Sequence, residues 1–226
     1  MEIKAKHIID DGYVQLVEKW GSDQKIVDCA SVSYGERQKT PTDLFIDNLY
    51  RLGHMTPFEQ AGVTVKIECP IFVWRQWIRH RLASVNEISE RYTESKCKFF
   101  SPIIWRTKGG VELSDEDILE LDRETSLLHQ HIERVYRRRL ELGVTRELAR
   151  IDLPLSKYTT AYWTANLREV FHLLKLRLDK SAQFETQEYA FGLAMVVRNV
   201  FPCSFKAFVK YEGLEEQVPN LNQGVK

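Results

Sequence analysis

Apolar and polar positions alternate with period two where Val63, Val65, Ile67 and Cys69 interleave with Thr64, Lys66 and Glu68, the mark of a strand with one buried face. The period lengthens over residues 43–52, where Leu44, Phe45, Asn48, Leu49 and Leu52 follow helical spacing and Gly53 is placed to end the helix. Pro70 suits the first turn of a helix running to about Arg81. A long amphipathic helix is expected over residues 115–142, with Ile118, Leu121, Leu128, Ile132, Val135 and Leu142 on its apolar stripe and Gly143 at its end. A shorter helix over 145–153 stops before Pro154, and two more follow over 167–178 and 182–201, the last stopped by Pro202. Helix dominates, and the few strands come from the N-terminal third. The expected class is α+β, a single helix-rich domain over residues 1–226 with a small, mostly antiparallel sheet. Neither a Rossmann nor a P-loop glycine pattern is present.

A chain of 226 residues with 43% hydrophobic and 11% aromatic content can bury one full core. Lys+Arg and Asp+Glu balance at 32 each, which weighs against a protein that grips duplex nucleic acid through its backbone. The run Arg137-Arg138-Arg139 reads as a solvated helix face. No apolar run is long enough to cross a membrane, and Met1-Glu2-Ile3-Lys4 lacks the apolar core of a secretory leader. The cysteines Cys29, Cys69, Cys97 and Cys203 have no Cys-x-x-Cys spacing, so neither a zinc site nor a disulfide scaffold is expected. A soluble, cytoplasmic protein without a metal fits these features.

The densest chemistry lies in Arg79-His80-Arg81-Leu82-Ala83-Ser84-Val85-Asn86-Glu87-Ile88-Ser89-Glu90-Arg91-Tyr92, directly after an apolar segment. Guanidinium forks bind phosphate bidentately, so this density of donors suits an anionic ligand with polar ring edges. On a helix over 70–81, Gln76, Arg79 and His80 would share one face at i, i+3 and i+4, while Trp74 and Ile78 share an apolar one. Cations there could instead merely complement the helix macrodipole. Two further blocks carry polar groups with equally plain structural readings. In Gly53-His54-Met55-Thr56-Pro57-Phe58-Glu59-Gln60, Thr56 and Glu59 have capping-box spacing. Asn166, three residues before Glu169, reads as a helix N-cap.

Together these blocks resemble the flavin-dependent thymidylate synthases, whose signature is Arg-His-Arg, seven intervening residues and a serine, here Ser89. The resemblance spans roughly residues 30–205 and includes Arg150-Ile151-Asp152-Leu153-Pro154, Asn166-Leu167-Arg168 and Leu176-Arg177-Leu178-Asp179. It implies an FAD site formed by Ser33, His54, Thr56, Glu59, Arg79, His80, Arg81, Glu87, Asn166, Arg168 and His172. It implies a dUMP site formed by Gln76, Arg79, Glu87, Ile88, Ser89, Glu90, Arg91, Arg150 and Arg177. Gln60, His172 and Ser181 depart from the residues the family commonly carries. The implied reaction converts dUMP to dTMP, with methylenetetrahydrofolate supplying carbon and NADPH-reduced FAD supplying hydride. Arg177 is the candidate to favour a negatively charged pyrimidine ring. The family also implies a homotetramer with shared active sites, and no nucleic-acid or membrane partner.

Two other readings compete. A cysteine-dependent thymidylate synthase would use Cys203 in Pro202-Cys203-Ser204, yet the expected histidine is missing and Cys203 reads as a packing residue. A non-catalytic nucleotide- or RNA-binding module could use the Arg-His-Arg cluster with Trp74, Trp77 and Tyr92 for stacking, against which the zero net charge weighs.

Overall fold

The computed structural model describes residues 4–6, 12–34 and 41–218; Met1, Glu2 and Ile3, on which the expectation of no leader partly rests, lie outside them. In chain order the elements are β1 (Lys4–Lys6), β2 (Tyr13–Trp20), α1 (Asp23–Ser31), α2 (Thr42–Arg51), β3 (Gly62–Pro70), α3 (Ile71–Trp77) and β4 (Ala83–Glu87). They continue with α4 (Asp115–Glu141), α5 (Arg146–Ala149), β5 (Tyr158–Asn166), α6 (Leu167–Arg177), α7 (Phe184–Val200) and α8 (Pro202–Glu212). The strands form one sheet in the order β1-β2-β3-β5-β4, in which β1–β2 and β2–β3 pair antiparallel. The helix-rich α+β class holds. No helix among the described residues is long and apolar enough to cross a membrane.

Local chemistry explains most boundaries. In β3, Val63, Val65, Ile67 and Cys69 are buried while Thr64, Lys66 and Glu68 are partly exposed, as the alternation requires. α2 ends before Gly53, whose φ of +71° is a left-handed conformation that glycine adopts without penalty. Ser114 and Asp117 close a reciprocal capping box at the start of α4, and Asp115, Glu116 and Asp117 place negative charge at its positive end. Asn166 caps α6, its Oδ1 accepting the Glu169 amide at 3.0 Å.

Several expectations need correction. α3 stops at Trp77, so Arg79, His80 and Arg81 lie in a turn beyond it and share no helical face with Gln76. In that turn His80 is buried while Arg79 and Arg81 are exposed. Strands are not confined to the N-terminal third, since β4 and β5 lie beyond it. Thr56 and Glu59 form no capping box; they sit in a 3-10 turn, Thr56–Gln60, without a side-chain cap. The helix expected over 145–153 shrinks to α5, and that expected over 182–201 begins at Phe184. Pro202 ends α7 but also opens α8, an unforeseen helix whose first amides, those of Cys203 and Ser204, donate to the Asp23 carboxylate at 2.9 and 3.1 Å. Along α4 only Tyr136 is buried; Ile118, Leu128 and Leu142 of the expected stripe are exposed. Periodicity shows that a face is apolar, not that something in the same chain covers it.

The chain divides into two compact units, the first comprising residues 1–68, 75–86 and 161–226 and the second residues 69–74 and 87–160. The first has an aromatic core. Trp77 meets Trp163 edge-on at 5.7 Å, and Phe171 stacks on Phe208 at 4.7 Å, with Phe58 and Phe205 beside them fully buried. The second buries Cys97, Tyr136 and Ala149 among Phe99, Leu140, Val144 and Leu153. Its polar interior is paired as well: Lys157 Nζ donates to Glu90 Oε1 at 2.6 Å, and the Tyr136 hydroxyl accepts the Ser95 amide at 2.8 Å.

Gly62, at the start of β3, packs so closely that a Cβ would stand 2.4 Å from the Ala165 carbonyl oxygen and 2.3 Å from the Trp20 ring. The backbone oxygen cannot swing aside. Gly62→Ala is therefore expected to destabilise the fold by about 1–3 kcal/mol, read as a lower denaturation midpoint in urea; an unchanged midpoint would show that the contact relaxes freely.

Candidate active site

In the first unit a cavity of about 770 Å³ opens between the turn after α3 and one face of α6. Arg79, Arg81 and Leu82 line it from the turn, and Arg168, Glu169, Phe171, His172 and Lys175 line it from α6. Tyr50, Gly53, Met55 and Glu212 complete the wall. Its character is cationic over an aromatic floor. Arg168 Nη1 is tied to Glu59 Oε1 at 2.6 Å and Lys175 Nζ to Glu212 Oε2 at 2.7 Å. Arg79 and Arg81 form no ion pair among the described residues, so two cations face the cavity uncompensated.

His80 and Arg177 stand behind this wall. His80 is 3% exposed, and its Nε2 receives the Arg177 Nε–H at 3.2 Å, while an Arg177 Nη2–H reaches the Gln76 carbonyl at 3.2 Å. Burial, the adjacent Arg177 charge and His172 push the His80 pKa down to about 4, so the ring is neutral at physiological pH. Burial, and then the charge of Arg79, also lower the Arg177 pKa. The buried Glu169 carboxylate lies 4.0 Å from His80 Nδ1 and 3.4 Å from His172 Nδ1, and it accepts the Leu82 amide at 3.4 Å.

Of the expected FAD residues, Arg79, Arg81, Arg168 and His172 line this cavity and His80 lies beneath it. Glu59 holds Arg168, and Asn166 is committed to capping α6. His54 and Thr56 are exposed beside Gly53 and Met55, and Ser33 is exposed in the turn after α1; none of the three lines the cavity.

The expected dUMP residues divide between the units. Gln76, Arg79 and Arg177 belong to the first, where the Gln76 side chain donates to Gln183 Oε1 at 2.6 Å. Glu87 to Arg91 and Arg150 belong to the second. There Glu87 accepts from Trp74 Nε1 at 2.9 Å and from Thr159 Oγ1 at 2.6 Å, which fixes its carboxylate. Glu90 is buried against Lys157, Arg91 bonds Glu147 at 3.3 Å, and Ile88 is exposed. Ser89 accepts the Tyr92 amide through its carbonyl, and Arg150 is the half-buried C-cap of α5.

Sequence reasoning missed Tyr50, Lys175, Glu212 and the inward role of Glu169. Arg168, His172 and Lys175 recur at i, i+4 and i+7, a polar stripe on an otherwise apolar helix, and that signal would have found Lys175. Glu169 was visible only as the partner of an N-cap. Tyr50 donates to Glu212 at 2.9 Å across 162 positions, a pairing no local pattern encodes.

The family model described as thymidylate synthase complementing protein matches residues 15–203. A flavin-dependent thymidylate synthase of Thermosipho africanus is 41% identical over 90% of this chain and 93% of its own length. One from Thermus thermophilus is 42% identical over 90% of this chain and 78% of its own. Among solved structures, a UMP/dUMP methylase, PolB of Streptomyces cacaoi, bound with 5-Br dUMP, superposes with a TM-score of 0.81 at 32% identity, covering 89% of this chain and 96% of that one. The Arg-His-Arg turn and the polar stripe of α6 thus stand inside a match that runs through most of the chain, which belongs to the thymidylate synthase complementing protein family, that of the flavin-dependent thymidylate synthases.

Proposed function

We propose that this chain is a flavin-dependent thymidylate synthase that converts dUMP to dTMP, with methylenetetrahydrofolate as carbon donor and NADPH as reductant. The observation that carries the reading is the cavity itself, where Arg79 and Arg81 have no counter-ion among the described residues and the buried ring of Phe171 also lines the wall. Uncompensated guanidiniums beside an apolar floor fit FAD, which joins a diphosphate to flat aromatic rings. Arg79, Arg81, Arg168 and His172 would hold it, with Glu59 orienting Arg168, and His80, buried beneath them, belongs to the flavin site on the family resemblance alone. When bound, FAD supplies the hydride chemistry. Ser33, His54, Thr56, Glu87 and Asn166 belong to the same proposal on the family resemblance alone.

The protein's part is binding and polarisation. Gln76, Arg79, Glu87, Ile88, Ser89, Glu90, Arg91, Arg150 and Arg177 form the dUMP site in this reading, and the similar structure bound with 5-Br dUMP supports a pyrimidine nucleotide as ligand. Arg177 is the catalytic group: a permanent cation at the N3/O2 edge of uracil favours the ring's negative form and so makes C5 nucleophilic. Cys203 is no nucleophile in this reading, since burial and then the Asp23 carboxylate raise its thiol pKa, the reverse of activation. The two units act as one functional domain, since the family match runs through both. The protein is cytoplasmic and homotetrameric with shared sites, and the exposed Ile118, Leu128 and Leu142 of α4 supply apolar area for subunit contact.

Purified protein is expected to be yellow, to bleach on NADPH addition and to form dTMP from dUMP only when methylenetetrahydrofolate is present; a colourless protein without turnover after FAD loading would favour the non-catalytic binding module. Removing a charge-assisted contact costs about 1.5–3 kcal/mol, so Arg81→Ala and Arg168→Ala should each weaken FAD binding roughly tenfold or more. Wild-type affinity in both, by fluorescence titration, would exclude the cavity as the flavin site. Cys203→Ser should keep turnover; losing it with flavin binding intact would restore the cysteine mechanism.

A further inference from the structure

We propose that His80 is a positioning residue which, as a neutral imidazole carrying its proton on Nδ1, holds Arg177 in its working orientation through Nε2, with Glu169 fixing the tautomer. The inference rests on the proposed thymidylate synthase reading and deepens it, since Arg177 is that reading's catalytic cation. Arg177 Nε–H points at His80 Nε2 at 3.2 Å, and a donor can be received there only by an unprotonated nitrogen. The single ring proton must then sit on Nδ1. That atom is buried with no hydrogen-bond partner, and it faces Glu169 Oε1 at 4.0 Å. A buried carboxylate on the far side of an imidazole sets its tautomer electrostatically, the arrangement that orients histidine in metal and acid–base sites. Here the orienting chain runs Glu169, His80, Arg177.

A flexible arginine side chain loses rotamer freedom when it is held. Arg177 is anchored at two points, His80 Nε2 and the Gln76 carbonyl, which leaves part of the guanidinium for a ligand. The carbonyl alone fixes one nitrogen and leaves the fork free to rotate. His80 supplies the second point, which makes the plane definite.

His80, Glu169 and His172 offer ligand atoms within 4.8 Å of one another, a spacing a divalent cation could use. The tautomer argues against it. A metal on Nδ1 would move the ring proton to Nε2 and expel the Arg177 N–H, and it would bring two more positive charges toward Arg79, Arg81 and Arg168.

Protonating His80 would place imidazolium directly against the Arg177 guanidinium and remove its acceptor. The groups facing it are Arg177 and His172 from α6, the Glu169 carboxylate, and Arg79 from its own turn acting on Arg177. The His80 pKa is depressed to about 4, so the neutral form persists from neutral pH down to that value. Arg177 positioning is therefore retained through the neutral range and lost as pH falls toward 4.

The test compares His80→Leu with His80→Gln in FAD-loaded holoenzyme, measuring the Kd for dUMP by calorimetry, kcat for dTMP, and the Kd for FAD. Gln keeps an acceptor near the Nε2 position and cannot become a cation; Leu keeps only bulk. The expected result is that His80→Leu weakens dUMP binding or slows kcat by roughly tenfold or more, that His80→Gln recovers most of that loss, and that the acid-side fall in dUMP affinity disappears in His80→Gln. Equal losses in both variants would overturn the proposal, as would wild-type dUMP affinity and kcat in His80→Leu. If His80→Leu does not fold, the pH profile of His80→Gln decides alone: an unchanged acid limb refutes the proposal. Failure of the wild-type enzyme to make dTMP would sink the thymidylate synthase reading instead, a separate outcome.

Discussion

The edge-on packing of Trp77 against Trp163 anchors the end of helix α3, and the turn that carries Arg79, His80 and Arg81 starts from that anchor. Both rings are fully buried with centroids 5.7 Å apart, so Trp77 is fixed in a close-packed core. The His80 amide bonds the Trp77 carbonyl at 3.1 Å, three residues back, in a tight turn that leaves the helix. After the turn, neighbouring side chains point to opposite sides. Arg79 and Arg81 reach the cavity, and His80 goes inward beneath it. The turn thus sets a buried imidazole beneath two exposed guanidiniums.

Much of this was legible in the sequence where chemistry is local. The alternation over Val63 to Cys69 and the Asn166 cap needed only nearest-neighbour rules, and the structure bears both out. Residue types in the Arg-His-Arg block point to a cationic surface whatever backbone presents them, and Arg79 and Arg81 do line a cavity. The geometry was not legible. Helix α3 ends at Trp77, earlier than the expected Arg81; no glycine or proline marks its C-terminus in the sequence, and the turn after it is fixed by the buried surroundings of Trp77 and His80. α8 was missed since Pro202 ends one helix and begins another, and the cap that begins it, Asp23, comes from nearly the opposite end of the chain. The α4 stripe is apolar at helical spacing, yet Tyr136 is the one buried residue of that helix, because amphipathicity carries no information about the covering partner.

The two units pair their charges differently, and the difference separates structure from binding. In the second unit Lys157 and Glu90 bury both halves of an ion pair at 2.6 Å, and Glu87 is held by two neutral donors. Such groups are satisfied and cost little further energy. In the first unit the charges near the cavity are unevenly matched: Arg168 and Lys175 have carboxylates, whereas Arg79 and Arg81 have none among the described residues. Glu90, assigned to dUMP by resemblance, therefore differs in kind from Arg79, since its carboxylate is already spent on Lys157.

Uncompensated cations close together disfavour the folded state through self-repulsion, and the lowered pKa of Arg177 reflects part of that repulsion from Arg79. Burying His80 as a neutral base adds a second opposing effect: in the unfolded chain the ring binds a proton near pH 6.5, but in the folded chain only near pH 4, so stability falls as the medium is acidified between those values. Aliphatic side chains in place of Arg79 and Arg81 would remove the first effect, at the cost of every donor those two offer. A ligand that brings negative charge relieves the repulsion between Arg79 and Arg177, and that relief contributes to its binding free energy. Tight anion binding and a less stable unliganded protein are therefore two consequences of one charge distribution.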